Sequence, residues 1–157
     1  ELSRILKRDF KFCQDNFSFS YKGVLRGLHY QIRPFAQDKI VSCLQGEIFD
    51  VAVDLRINSN TFGKWAGFYL NDNNHEQLFI PKGFAHGFLV ISEYAKVKYK
   101  TTDYYSSKSE RAIIWNDQDI KVEWPIEKLN IKFPIISEKD EKADKFKESK
   151  LDFLVTS

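Results

Sequence analysis

The feature that most constrains this chain is the rhythm of its apolar runs. Ile40–Leu44, Ile48–Val53, Trp65–Leu70, Leu78–Ile80, Phe88–Ile91 and Ala95–Thr101 are short and rich in β-branched or aromatic residues, and several alternate with polar positions. Turn signals separate them. Tyr21-Lys22-Gly23 precedes one run, Asn71-Asp72-Asn73-Asn74 and Pro81-Lys82-Gly83 are loops, and Gln45-Gly46 divides two runs in the manner of a tight hairpin. Strands recurring roughly every 8–12 residues predict an all-β sandwich or barrel. No alternation of strand with long helix appears, which excludes a doubly wound parallel sheet. Helix is expected at Leu2–Lys7, as the end of one. Between Ser137 and Leu151 the expectation is a solvated helix or a frayed tail, because charges of both signs interleave with few apolar anchors.

At 157 residues, 43% of them hydrophobic, the chain can bury a core, and it is read as one domain over 1–157 with a charged tail at 139–157. No apolar run approaches the roughly 20 residues of a membrane-spanning helix. A net charge of +2 with scattered basic residues argues against a nucleic-acid footprint. Aromatic residues make up 15%, including 14 Phe and 7 Tyr, which suits both strands and ring stacking on a base or sugar. Cys13 and Cys43 lie in apolar runs without metal-like neighbours and are expected to be buried thiols, consistent with a reducing, cytoplasmic home. Glu1–Phe10 lacks the apolar stretch of a secretory signal. Methionine is absent even at position 1, which implies that the start of the gene product precedes Glu1.

Three histidines are available for chemistry. His75 sits in a polar loop and is expected to be merely exposed. His29 lies in Arg26-Gly27-Leu28-His29-Tyr30-Gln31, and His86 in Pro81-Lys82-Gly83-Phe84-Ala85-His86-Gly87-Phe88. A metal-binding barrel usually needs two histidines one residue apart plus a carboxylate and a further His. No His-x-His exists here, so acid–base chemistry without metal is the stronger reading. Arg26, permanently charged, suits a phosphate. Lys39, ten residues beyond His29, returns to the same pocket if a hairpin joins the two. Tyr99 and Tyr105 bracket a polar turn, and a tyrosine can deliver a proton.

Taken together, these segments resemble the dTDP-4-dehydrorhamnose 3,5-epimerases. The likeness is carried by Arg26-Gly-Leu-His-Tyr-Gln, Ala36-Gln-Asp-Lys39, Asp50-Val-Ala-Val-Asp-Leu-Arg56, Ser59-Asn-Thr-Phe-Gly63, Ile80-Pro-Lys-Gly-Phe-Ala-His-Gly-Phe88, Trp115-Asn-Asp117, Trp124-Pro125 and Ser137-Glu-Lys-Asp140. Eight short motifs in order, from about Gln14 to Asp140, are far more specific than any one of them. The resemblance implies a cupin-like jelly-roll β-barrel that forms a homodimer and needs no metal and no cofactor. Its implied substrate is a dTDP-linked 4-keto-6-deoxyhexose inverted at C3 and C5, usually on the way to rhamnose for surface polysaccharide.

Residue by residue, His29 matches the general base and Asp140 the carboxylate that pairs with it. Tyr99 matches the acid acting from the opposite face, and Lys39 the lysine near the keto oxygen. His86 matches a substrate-contacting histidine. Gln14, Asn16, Arg26, Glu110 and Lys139 match nucleotide-sugar contacts, and Tyr105 the ring that stacks on thymine. The family usually carries some tens of residues ahead of the match to Leu2–Phe10, with an early strand often swapped to the dimer partner. A C3-only epimerase or ketoisomerase, a catalytically silent sugar-binding barrel and a metal cupin remain as alternative readings.

Overall fold

Alternation decides most of this structure, and where it fails, both sides of a strand turn out to be covered. The computed structural model describes residues 2–155. After a short helix α1 (Leu2–Leu6) come nine strands: β1 (Gln14–Tyr21), β2 (Leu25–Gln31), β3 (Lys39–Gln45), β4 (Glu47–Asp54), β5 (Trp65–Asn71), β6 (Gln77–Ile80), β7 (Phe84–Val90), β8 (Tyr94–Thr101) and β9 (Glu110–Ala112). They form a four-stranded sheet in the order β1-β8-β3-β6 and a five-stranded sheet in the order β5-β4-β7-β2-β9. All pairings between these strands are antiparallel, and four of them nest: β1 with β8, β2 with β7, β3 with β6 and β4 with β5. A long double strand wound around itself in this way is a jelly roll.

The two sheets bury different things. Val41, Cys43, Ile48, Leu70, Phe88, Val90 and Val97 pack between the sheets. Phe49, Val51 and Val53, the alternate residues of β4, point to the other side of the five-stranded sheet. There they join Leu28, Tyr30, Trp124, Leu129 and Phe153 in a second core. The five-stranded sheet is therefore covered on both faces, and β4 and β7 read as nearly continuous apolar runs. The outer face of the four-stranded sheet remains open, so β1 alternates strictly, with Gln14, Asn16 and Ser18 half-buried and Ser20 buried between exposed neighbours.

Three sequence expectations change here. The Gln45-Gly46 turn is no hairpin: β3 and β4 lie in different sheets, and the turn is the corner where the chain crosses between them. Gly46 has φ +81°, a conformation that favours glycine. The strand expected at Phe88–Ile91 begins earlier, at Phe84, directly after the Pro81-Lys82-Gly83 turn. The charged end is neither a long helix nor frayed. It forms one turn, α2 (Glu138–Glu141), and a 310 turn at Phe146–Glu148. It is then tied down by single anchors: Phe146 N–H donates to Asp117, the Tyr30 hydroxyl to the Lys150 carbonyl, and Phe153 is buried. Of the two free cysteines, Cys43 is buried, and burial pushes its thiol up to about 11, whereas Cys13 is only half-buried. No helix among the described residues is long and apolar enough to cross a membrane.

Candidate active site

A single extra residue aims the site. Between Arg26 and His29, β2 takes three steps while its partner β7 takes two, from Phe88 to His86. A strand's side chains alternate with a period of two, so Arg26 and His29 should lie on opposite faces. The bulge restores them to the same face, inward, while Leu25, Leu28 and Tyr30 remain in the outer core. Gly27 permits it. It has φ +135°, and a Cβ there would meet the Gly87 Cα at 2.5 Å. The two glycines let β2 and β7 approach where the bulge forms, and His29 and His86 then stand directly opposite each other across the pair.

His29 is only partly covered, and its Nε2 lies 2.6 Å from Asp140 Oδ1. The sequence places that carboxylate through a helix cap. Ser137 Oγ accepts from the Asp140 N–H, so the first turn of α2 carries Asp140 against β2. Gly27 N–H donates to its other oxygen at 3.4 Å. Burial alone would raise the Asp140 carboxyl, but His29, Gly27 and Ser137 outweigh it and hold the group below the usual carboxylate range. An ionised carboxylate can only accept, so the ring donates Nε2–H to it and leaves Nδ1 as the nitrogen free to work.

The facing wall is the four-stranded sheet. Tyr99 projects from β8, and burial raises its hydroxyl, with Arg26 opposing and Glu110 adding to the effect. Lys39 projects from β3 and is 9% exposed. Burial pushes its ammonium down to about 8, although Asp50 and Glu110 favour the charged form. Behind His86, Asp50 on β4 is fully buried, and its Oδ1 lies 2.6 Å from His86 Nε2. Between these walls is a cavity of about 410 Å3.

Its mouth is polar. Gln14 on β1 donates to Asn16 Oδ1 and accepts from the Tyr105 N–H. The Tyr105 hydroxyl and the Lys139 ammonium both donate to Glu110 Oε2. Burial would raise the Glu110 carboxyl, but Lys139, Tyr105 and His29 hold it low. The Tyr105 ring itself is more than half exposed. Arg26 Nε donates to Ser20 Oγ. Among the described residues, no group of three or more His, Cys, Asp or Glu comes together in a way that could hold a metal ion.

A family model for dTDP-4-dehydrorhamnose 3,5-epimerase matches residues 2–148. The chain belongs to that family. Among the epimerase relatives is the dTDP-4-dehydrorhamnose 3,5-epimerase of Shigella flexneri, 53% identical over 139 residues, which are 88% of this chain and 74% of the relative. The Pseudomonas aeruginosa epimerase is 54% identical over 86% of this chain and 72% of its own. A Legionella pneumophila dTDP-6-deoxy-D-glucose-3,5-epimerase, solved in complex with dTDP-4-keto-L-rhamnose, superposes with a TM-score of 0.91 at 45% identity. That match covers 98% of this chain and 81% of that one.

Against this epimerase frame, nine of the residues expected from sequence line the cavity: Gln14, Asn16, Arg26, His29, Lys39, His86, Tyr99, Tyr105 and Glu110. Asp140 and Lys139 do not line it; they reach it through His29 and Glu110. The hairpin expected to return Lys39 beside His29 does not exist. β2 and β3 belong to different sheets, and Lys39 approaches from the opposite wall. His75 is exposed in its loop. Sequence reasoning missed Ser18, Gln31, Gln37 and Phe88, which also line the cavity. It also gave no role to Asp50, although a carboxylate in the middle of an apolar strand was the available signal.

Proposed function

We propose that this chain catalyses 3,5-epimerisation of a dTDP-4-keto-6-deoxyhexose, converting dTDP-4-dehydro-6-deoxy-D-glucose to dTDP-4-dehydro-L-rhamnose. One observation carries the reading: a carboxylate-bound histidine and a tyrosine enter the same cavity from opposing sheets. The C4 ketone acidifies the C3–H and C5–H bonds. His29 Nδ1 takes a proton from one of these carbons, and the bonding pair moves to form an enolate whose charge rests on the C4 oxygen. Asp140 steadies the resulting imidazolium, the orienting role of a buried carboxylate. Lys39 supplies positive charge to the enolate oxygen. Tyr99, kept protonated by its raised pKa, returns a proton from the other face, which inverts the carbon. Repetition at the second carbon completes the reaction, and proton exchange with solvent resets both groups. The chain's own side chains supply every proton and charge in this scheme.

Arg26 and Lys139 suit the diphosphate, and the open Tyr105 ring suits stacking on the base. Gln14, Asn16, Glu110 and His86 complete the sugar and nucleotide contacts. The strands and the packed C-terminal segment act as one epimerase domain, and two copies associate. Support for a homodimer comes from β1, an edge strand whose outward residues Phe17, Phe19 and Tyr21 are exposed. An aromatic sheet edge of this kind invites pairing with another strand.

The test is incubation with dTDP-4-keto-6-deoxyglucose in D2O while the C3 and C5 proton signals are followed by NMR. The expected result is loss of both signals, with dTDP-rhamnose formed once an NADPH-dependent reductase is added. Loss of C3 alone would assign a 3-epimerase. Binding without exchange would assign a silent barrel. In His29→Ala, exchange at both carbons is expected to vanish; a tenth of the wild-type rate remaining would remove His29 as sole base.

A further inference from the structure

His86, which lines the cavity, is backed by a buried carboxylate that is only half used. Asp50 lies inward on β4 between Ile48 and Ala52, both of which face the interior. Its residue is completely buried. Oδ1 is committed to His86 Nε2, while Oδ2 is one of three buried side-chain atoms without a hydrogen-bond partner among the described residues. A buried carboxylate oxygen left without a donor is costly unless a charge nearby compensates it. Lys39 is the cation that the opposite sheet brings to the same interior, and its ammonium makes no hydrogen bond or ion pair among the described residues.

We propose that Asp50 is a positioning residue of the reaction: it fixes the His86 ring so that Nδ1 is the nitrogen available to substrate, and its second oxygen is the anionic counterweight to the Lys39 ammonium. This rests on the epimerase reading above. A lysine walled into an apolar barrel tends to lose its proton. The groups around it are mixed in sign. Arg26 and His29 stand on β2, Asp50 on β4, His86 on β7, Tyr99 on β8 and Glu110 on β9. Asp38, the residue preceding Lys39, is already committed to Arg8 and to the Lys82 N–H. Among the carboxylates, Asp50 makes the largest favourable contribution to the charged form of Lys39, ahead of Glu110. Glu110 is also shared between Tyr105 and Lys139. One carboxylate thus serves two groups that converge on the sugar, which accounts for an ionisable residue at the centre of an apolar strand.

The experiment compares wild type with Asp50→Asn. Because the chain has three histidines, 15N-histidine labelling gives three ring systems, and 15N-lysine labelling follows the Lys39 ammonium, all without substrate. In wild type, His86 should carry its proton on Nε2, and Lys39 should titrate near 8. In Asp50→Asn the Lys39 midpoint should fall by about half a pH unit or more. The alkaline limb of kcat/KM should move down by the same amount. We expect kcat to drop roughly tenfold or more, the lower range for loss of an orienting partner, with KM within about threefold. An unmoved Lys39 midpoint and an unmoved alkaline limb would overturn the assignment. If Asp50→Asn does not fold, His86→Gln keeps the carboxylate: Lys39 must then still titrate near 8, and a fall would equally overturn it. Wild-type protein inert toward the keto sugar would remove the epimerase reading instead, since the titrations are made on the free protein.

Discussion

Replacement of Lys39 by methionine should make this protein more stable and less active. Methionine is nearly as long as lysine and uncharged, whereas Lys39 carries a charge into a site that is 9% exposed. Burial pushes its ammonium from the ordinary lysine value near 10.5 down to about 8, a fall of about 2.5 on the pH scale. Each unit corresponds to about 1.4 kcal/mol, so the folded state loses about 3 kcal/mol by holding the charge. The sign follows from linkage. The unfolded chain binds the proton more tightly, so this cost is complete below pH 8 and fades as pH rises toward the unfolded value near 10.5. Lys39→Met should therefore gain about 3 kcal/mol at pH 7. That is roughly 6–12 °C in Tm for a domain of this size, and the gain should shrink steadily between pH 8 and 10.5. Urea unfolding at pH 7, 9 and 10.5 measures it directly, alongside C3 and C5 exchange in D2O, which should collapse. A gain that is absent at pH 7, or equal at all three pH values, would refute the argument that charge burial is the cause.

Tyr99→Phe should abolish inversion while leaving slow washout of substrate protons into D2O; an unaltered epimerisation rate would exclude Tyr99 as the acid. Tyr105→Ala should raise KM far more than it lowers kcat. Stacking worth about 1–3 kcal/mol corresponds to a rise of roughly 5- to 150-fold, and steady-state kinetics that show a large fall in kcat alone would contradict it. Gly87→Ala introduces a Cβ 2.8 Å from the Arg26 carbonyl oxygen and 3.1 Å from the Gly27 Cα. It should cost about 1–3 kcal/mol and lower kcat with little change in KM, since the crossing that aims His29 is wedged apart. Thermal unfolding and kinetics on the same sample check this, and an undisturbed kcat would show that the bulge tolerates the wedge.

The middle of the barrel was legible because β3, β5, β6 and β8 carry β-branched and aromatic residues between clear turns. β1 was not, because its polarity is inverted. Gln14, Asn16, Ser18 and Ser20 face the polar cavity or its rim while Phe17, Phe19 and Tyr21 face outward. The start of β7 was hidden because Phe84 follows a Pro-Lys-Gly turn without a polar break. Sheet assignment was also beyond local patterns: nothing in Gln45-Gly46 distinguishes a hairpin from a corner between sheets. The ordered C-terminal segment escaped notice since isolated anchors such as Phe146 and Phe153 leave no periodicity. The site residues were readable from motifs, yet the opposed placement of His29 and Lys39 required the fold.

The bulge in β2 has a consequence for how relatives of this chain are compared. The inward aim of His29 depends on how many residues separate it from Arg26, as well as on which residues they are. A homologue that kept every acid, base and cation but lost one residue in that interval would take two steps on both strands, and a period of two would still turn its histidine inward, with no bulge. What such a protein would no longer need is the pair of glycines, because the left-handed Gly27 and the close approach of Gly87 serve the extra residue. A single-residue gap opposite Gly27-Leu28 in an alignment should therefore travel with a side chain at the position of Gly87, the two changes together marking another way of aiming the same histidine.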